Sequence, residues 1–164
     1  MNVRNTIWYD FLNAKFGGEY LILYLKRERK VKKWFKILTI IFSAGGIFSA
    51  FKDFKIPTII MLSAIGVVQI ASLLEEHIMH SENDMQQICK LRLMYLDWEQ
   101  ELEKLFSNYE SMTEETAKGR LFELRESSKK IEELDNKINI RIYKSLKDKT
   151  DQDVRNYINT YYPQ

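Results

Sequence analysis

The sequence of 164 residues predicts an all-α membrane protein, in which a two-helix transmembrane hairpin joins long cytoplasmic helices that form a helical bundle or coiled coil. Three observations lead to this prediction. Two long uncharged segments lie close together in the chain. Apolar residues elsewhere recur at helical spacing, without the alternation of half-buried strands. Charge is segregated, since residues 1–36 hold nine Lys or Arg against three Asp or Glu, whereas residues 75–164 hold fourteen against nineteen.

These observations divide the chain into three predicted parts. Residues 1–36 form aromatic and basic cytoplasmic helices, residues 37–74 form the transmembrane hairpin, and residues 75–164 form a cytoplasmic helical tail. Cys89 is the only cysteine, which excludes a disulfide within the chain and favours a reducing compartment. The first uncharged segment begins at residue 37, after a long charged segment, and this order does not match that of a signal peptide.

An aromatic helix is predicted near the amino terminus, capped by Thr6 and ended or bent by the adjacent Gly17 and Gly18. Its apolar stripe consists of Trp8, Phe11, Leu12 and Phe16. Helical spacing resumes at Glu19, and no helix breaker follows for several turns. We therefore predict one long helix from about Glu19 to about Phe51.

A basic collar lies within this long helix, where seven of the eleven residues from 26 to 36 are Lys or Arg. They are Lys26, Arg27, Arg29, Lys30, Lys32, Lys33 and Lys36. A basic run of this kind binds nucleic acid, an anionic nucleotide or anionic lipid. Because this one adjoins an apolar segment, we predict contact with membrane lipid, which attracts such residues by about 1 kcal/mol each. No nucleic-acid partner is expected.

The hairpin is predicted from two uncharged segments, the 15 residues Ile37–Phe51 and the 19 residues Ile56–Leu74, with a short polar loop between them. A membrane span needs about 20 apolar residues, which the first segment approaches once Trp34–Lys36 is added at the interface. The alternative is a pair of buried helices in a soluble bundle, but neither segment has the polar face that a soluble helix keeps. The distribution of Lys and Arg places both termini in the cytoplasm.

Small and polar residues mark the predicted packing or pore-lining positions of the hairpin. They are Ser43, Gly45, Gly46 and Ser49 in the first segment, and Ser63, Gly66 and Gln69 in the second. Lipid provides no hydrophobic drive between helices, so close contact there depends on small side chains. The contact is either within one hairpin or between subunits, and a single thin hairpin favours a homo-oligomer.

Two helices that fold back on each other are predicted in the tail. The first carries a heptad seam, at Ile88, Leu91, Tyr95, Trp98, Leu102, Leu105 and Tyr109, which packs a bundle or an oligomer. Ser111 and Glu114 have the spacing of a capping box that begins the second helix. Its apolar positions are Leu121, Leu124, Ile131, Leu134, Ile138 and Ile142. Thr150 is predicted to cap a short last helix.

No residue pattern predicts catalysis, so the chain is not expected to be an enzyme or to use a cofactor. The sequence has no glycine-rich phosphate loop and no nucleophile elbow. Glu76, His77 and His80 form an E-H-x-x-H pattern that lacks further nearby ligands, and a polar cap at the membrane interface is favoured over a metal site. Cys89 is interpreted as a small buried residue.

The stretch WYDFLNAKFGGEYLILYLKRERKVKKWFK, the two apolar segments and the helices through about residue 160 resemble the SLATT proteins. These are bacterial two-transmembrane effectors associated with nucleotide-signal and anti-phage defence systems. The resemblance implies an oligomeric, pore-forming protein of the inner membrane, triggered by a sensor protein or a nucleotide second messenger. It implies no catalytic residues. The alternatives are a passive membrane-anchored scaffold that recruits a partner through its tail, and a soluble helical binding module.

Overall fold

A computed structural model describes residues 2–50, 80–138 and 140–163, together with positions 63, 66, 67, 69 and 70. For residues 42–50 it describes the helical backbone. The helices are α1 (Val3–Ala50), α2 (Glu82–Ser107), a 3-10 turn (Tyr109–Ser111), α3 (Glu114–Lys137) and α4 (Lys144–Tyr161). The all-α prediction is confirmed across these described residues, in which no strand occurs.

Half of the predicted hairpin falls outside the described residues, since residues 51–62, 64, 65, 68 and 71–74 are not among them. Among the helical segments that are described, none has the length and the apolar character that crossing a membrane requires. The positions described between 63 and 70 are all helical.

The amino-terminal helix begins earlier than predicted, at Val3. Its cap is Asn2, whose Oδ1 accepts a hydrogen bond from the backbone N–H of Arg4 at 3.0 Å. Thr6 lies inside the helix, where its hydroxyl donates to the carbonyl of Asn2 at 3.3 Å. The prediction that Thr6 caps the helix is therefore wrong, because Asn2 already accepts from the first turn.

The prediction that Gly17 and Gly18 end the helix is wrong, since α1 runs through both as part of one 48-residue helix. Gly17 serves close packing instead. A Cβ atom placed on it would lie 2.5 Å from Cε1 of Tyr95 in α2, closer than real Cβ contacts come. The absence of a side chain at residue 17 thus lets the Tyr95 ring lie directly against the backbone of α1.

Residues 1–25 and 84–164 form one compact unit, and residues 26–83 form a second. The first unit is a bundle to which all four helices contribute. One of its hydrophobic clusters joins Ile7 of α1, Leu102 near the end of α2 and Leu121 near the start of α3, with Tyr157 of α4 packed against it. Ile7 and Leu102 are completely buried.

The other cluster joins the opposite ends of these helices. Tyr24 of α1 meets Ile88 near the start of α2 and Ile131 near the end of α3, with Leu146 of α4 packed against them. Comparison of the two clusters shows that each helix runs antiparallel to the one before it. The bundle therefore has up-down-up-down topology, and the prediction that α3 folds back on α2 is confirmed.

Helix α3 begins at Glu114, but its cap is Thr113 rather than Ser111. The hydroxyl of Thr113 accepts from the N–H of Thr116 at 3.2 Å, so the cap lies two residues later than predicted. The chain between Ser111 and Thr113 is extended at Met112, which moves the helix start beyond the pair that the spacing suggested.

Two predictions about the end of the chain are wrong. Thr150 does not cap the last helix, which begins six residues earlier, at Lys144. Thr150 is fully buried in the middle of α4, and its hydroxyl donates to the carbonyl of Leu146 at 2.8 Å. Ile142 lies beyond the end of α3 and is 80% exposed, so it is no core position. The chain leaves α3 at Ile138, whose own side chain is buried.

A tyrosine hydroxyl fixes the connection between α3 and α4. Tyr20 Oη donates to the carbonyl of Arg141 at 3.0 Å and accepts from the N–H of Tyr143 at 3.0 Å. Because Tyr143 is the residue before α4, this pair of bonds sets where the last helix starts. The sequence spacing alone carries no trace of a contact between residues more than a hundred positions apart.

Candidate functional site

The basic collar occupies three turns of α1 in the second unit. Most of its residues are exposed, namely Lys26, Arg29, Lys30, Lys33 and Lys36, while Arg27 and Lys32 are half-buried. Arg27 pairs with the buried Glu28 at 2.8 Å, and Lys32 pairs with Glu82 at 3.0 Å. The collar thus keeps most of its positive charge in contact with solvent, as attraction of an anionic surface requires.

One face of the collar forms a groove of about 610 Å³. Its described lining is Lys32, Lys33, Phe35, Lys36, Thr39, Ile40 and Glu82. The lysines supply three positive charges, Glu82 supplies one negative charge, and Phe35 and Ile40 supply apolar surface. The hydroxyl of Thr39 donates to the carbonyl of Phe35 at 3.0 Å, so it is bound within its own helix. The groove suits a ligand that is both anionic and apolar.

Large apolar side chains are exposed on α1 just beyond the collar. Leu38 is 45% exposed, Ile40 59% and Ile41 57%. At about 100° per residue, Leu38 and Ile41 lie about 60° apart on one side of α1, and Ile40 lies about 100° or more from each of them. Val67 and Ile70, in the second apolar segment, are exposed to 66% and 60%. Apolar exposure of this kind marks a surface that another molecule or a membrane covers.

The structure places the predicted small-residue positions as follows. Ser43, Gly45, Gly46 and Ser49 lie in the carboxyl-terminal turns of α1, where side chains are outside the described residues. Ser63 and Gln69 are exposed helical positions, and Gly66 is partly exposed. A Cβ atom on Gly66 would meet no heavy atom within 4 Å. Gly66 therefore borders open space.

The heptad seam lies in the interior of the bundle. Ile88, Leu91, Leu102 and Leu105 are buried in its two hydrophobic clusters. Tyr95, Trp98 and Tyr109 are partly buried and pack against the same clusters. The seam is thus occupied by helices of its own chain. Cys89 is half-buried and packs beside it.

A buried polar network crosses the bundle core, and the sequence analysis did not find it. Lys15 Nζ lies 2.8 Å from Oε1 of Glu99, and both side chains are about nine-tenths buried. The same ammonium lies 3.5 Å from the centre of the Tyr157 ring, in cation–π geometry. One signal was available, since Glu99 directly follows seam residue Trp98 and so borders the core.

Two tyrosine hydroxyls on the carboxyl-terminal side complete this network. Tyr157 and Tyr162 both donate to Oε1 of Glu103, at 2.9 and 2.7 Å. Burial, followed by the hydrogen bond to Glu103, raises the pKa of Tyr162 to about 12 and also raises that of Tyr157. Glu103 thereby ties α4 to α2 through two neutral phenols.

Tyr95, about two turns before Glu103 in α2, is also held neutral. Burial against Gly17, with smaller contributions from the carboxylates of Asp135 and Glu132, raises its pKa to about 12. Burial likewise raises the pKa of Asp135. The raised pKa values keep these phenols neutral near pH 7. The tyrosines therefore pack as neutral side chains and do not serve as an acid or a base there.

We expect the stability of the bundle to fall in alkali between pH about 10 and about 12. A tyrosine whose folded pKa is raised stabilises the folded state fully below its unfolded value, 10.0, and loses that contribution as the pH rises through its folded value, about 12. Urea unfolding at successive pH values measures the loss. Tyr95→Phe should lose less over this window, and an equally steep loss would contradict the assignment.

No group of three potential metal-binding side chains, His, Cys, Asp or Glu, occurs among the described residues. His80 lies within the described part, whereas Glu76 and His77 lie outside it. The E-H-x-x-H pattern therefore has one described member, at the start of the chain that leads into α2.

Comparison of the chain with family models, curated proteins and solved structures finds no match. The features that a function must explain are the lysine groove, the apolar side chains around α1 and the polar network of the bundle. The first two belong to the second unit, and the third belongs to the first.

Proposed function

We propose that this protein is an oligomeric membrane-disrupting effector with the layout of the SLATT proteins, acting in bacterial anti-phage defence. Residues 37–74 enter the inner membrane as a hairpin, and both termini remain in the cytoplasm. A partner sensor or a nucleotide second messenger triggers the spans to permeabilise the bilayer. The helical bundle holds them inactive until then.

The exposure of apolar side chains around α1 carries this proposal. Leu38 and Ile41 are exposed on one side of α1 and Ile40 on another, whereas a soluble amphipathic helix turns a polar face to water. Burying this surface is favourable by roughly 25 cal/mol per Å². The lysine collar immediately before these residues matches the cytoplasmic flank of a membrane segment. Lipid or a second copy of the chain satisfies both features.

The continuity of α1 supports a regulatory part for the bundle. The same helix contributes Ile7 and Tyr24 to the bundle core and continues through the collar to Ala50. A trigger that repacks the core therefore acts on the helix that leads into the apolar segment. The open surface at Gly66 is suited to contact between subunits.

Expression of the chain together with its trigger is expected to depolarise bacterial cells, measured with a membrane-potential dye. Gly45→Leu or Gly46→Leu should abolish the depolarisation, because a large side chain prevents close approach of a neighbouring helix. Gly119→Leu is the matched control, since it places the same side chain in open space on α3. Depolarisation unchanged by both membrane substitutions would overturn the packing role, and its absence in every condition would overturn the proposed function.

A passive membrane-anchored scaffold is the second candidate. Large apolar side chains exposed on the bundle favour it, since partner proteins bind such residues. They are Tyr9, Leu93, Phe122, Ile142 and Tyr161, each more than half exposed. A scaffold would remain in carbonate-washed membranes and leave the membrane potential unchanged, whereas the effector depolarises the cell.

A further inference from the structure

We propose that the groove lined by Lys32, Lys33 and Lys36 binds the phosphate headgroup of an anionic phospholipid. The inference rests on the proposed membrane location and adds a specific ligand to it. The proposal assigns this ligand to one face of the collar and not to its other faces. General attraction to a negative surface needs only charge, whereas this site combines charge, shape and apolar surface in one place.

Charge complementarity supports an anionic occupant. Among the described lining residues, three lysines and one carboxylate leave a net positive charge. Lys32 is 3.0 Å from Glu82, but the Glu82 side chain is 84% exposed. Exposed pairs of this kind contribute little free energy. A phosphate group therefore replaces the Glu82 carboxylate as the partner of Lys32 at small cost.

The apolar lining favours a lipid over a free phosphate. Phe35 and Ile40 lie in the groove, and Ile40 belongs to the run of exposed apolar side chains that continues through Ile41. A phospholipid has its headgroup next to its acyl chains, which matches lysines followed one turn later by apolar residues. The groove volume of about 610 Å³ is within the range of small-molecule sites.

The collar itself supplies a matched control. Lys32 and Lys36 line the groove four residues apart, and Lys26 and Lys30 have the same spacing and are exposed. Lys32 follows Lys26 by six positions, so the pair Lys32 and Lys36 is rotated about 120° around the helix axis from the pair Lys26 and Lys30. Lys32→Gln/Lys36→Gln and Lys26→Gln/Lys30→Gln remove equal charge from different faces. Circular dichroism and thermal unfolding verify that both variants fold.

The experiment measures binding of the full-length chain to vesicles of phosphatidylcholine, with and without phosphatidylglycerol. Both double variants lose general attraction, about fivefold per charge. The groove variant is expected to lose about tenfold more than the control for the anionic vesicles, because hydrogen bonds to charged groups contribute more than ordinary ones. Glu82→Gln should bind these vesicles more tightly than the native chain, because it removes the competing carboxylate.

The outcomes separate this inference from the proposed function. Equal losses in the two double variants would overturn the groove as a headgroup site while leaving membrane action intact. Failure of the native chain to bind either vesicle type would overturn both. Inorganic phosphate and soluble glycerol phosphate are added as competitors. If either competitor removes the extra vesicle binding that the groove variant lacks relative to the control, the groove binds a free phosphate. That result would overturn the lipid assignment.

Discussion

Replacing Glu99 with leucine is expected to lower the free energy of unfolding by about 3–5 kcal/mol. The substitution leaves the Lys15 ammonium in the bundle core without the carboxylate that lies 2.8 Å from it. Lys15 is 7% exposed, so water does not replace the lost partner. The Tyr157 ring, 3.5 Å away, offsets only part of this loss. Urea unfolding of the full-length chain in neutral detergent measures the change.

The double variant Lys15→Met/Glu99→Leu is the control for this result. It removes both charges and keeps apolar side chains of similar size, and such replacements are often neutral or stabilising. We expect it to recover most of the stability lost in Glu99→Leu. A double variant as unstable as the single one would show that the loss comes from packing at residue 99 and not from an unpaired charge.

Replacing Gly17 with alanine is expected to destabilise the bundle by about 1–3 kcal/mol, the usual cost of overpacking. The result is opposite to the ordinary effect, because alanine within a helix is more stable than glycine by about 0.5–1 kcal/mol. The sign reverses because the new methyl group would lie 2.5–2.8 Å from three atoms of the Tyr95 ring. Either the ring or α1 must move to accept it.

Gly18→Ala and Gly119→Ala are the controls, and their free energies of unfolding are compared with that of Gly17→Ala. A Cβ atom on Gly18 would be 3.8 Å from the nearest atom, Cβ of Tyr95, and one on Gly119 would meet nothing within 4 Å. Both alanine variants should therefore show the ordinary gain of about 0.5–1 kcal/mol. In a Tyr95→Ala background, Gly17→Ala should no longer destabilise the bundle, because the ring it would meet is absent. Stabilisation by Gly17→Ala alone would contradict the close approach.

Features that depend on local spacing could be predicted from the sequence. The helical class, the long helix through the collar and the antiparallel α2 and α3 all follow from apolar residues recurring every three or four positions. Spacing of this kind is set by a helix's own geometry, so it is visible without the rest of the fold. The lysine collar was visible for the same reason, as a run within one helix.

Features that depend on distant partners could not be predicted. Two adjacent glycines ordinarily weaken a helix, and the sequence does not show that the Tyr95 ring packs against the backbone at Gly17. Thr150 is of a residue type that often caps helices. It is buried within α4 because the bond to Tyr20 fixes the start of that helix earlier in the chain. The groove was missed because its wall includes Glu82, fifty residues from Lys32.

The long-range hydrogen bonds of the bundle have a consequence for the order in which it assembles. Tyr20 reaches Arg141 and Tyr143 across 121 and 123 residues, and Glu103 reaches Tyr157 and Tyr162 across 54 and 59. Contacts between such distant residues form late, because the chain must first close the intervening loops. Helix α1 is therefore expected to join the bundle last, because its bonds to Glu99 and Tyr143 span 84 and 123 residues, more than the bonds between Glu103 and the carboxyl-terminal tyrosines.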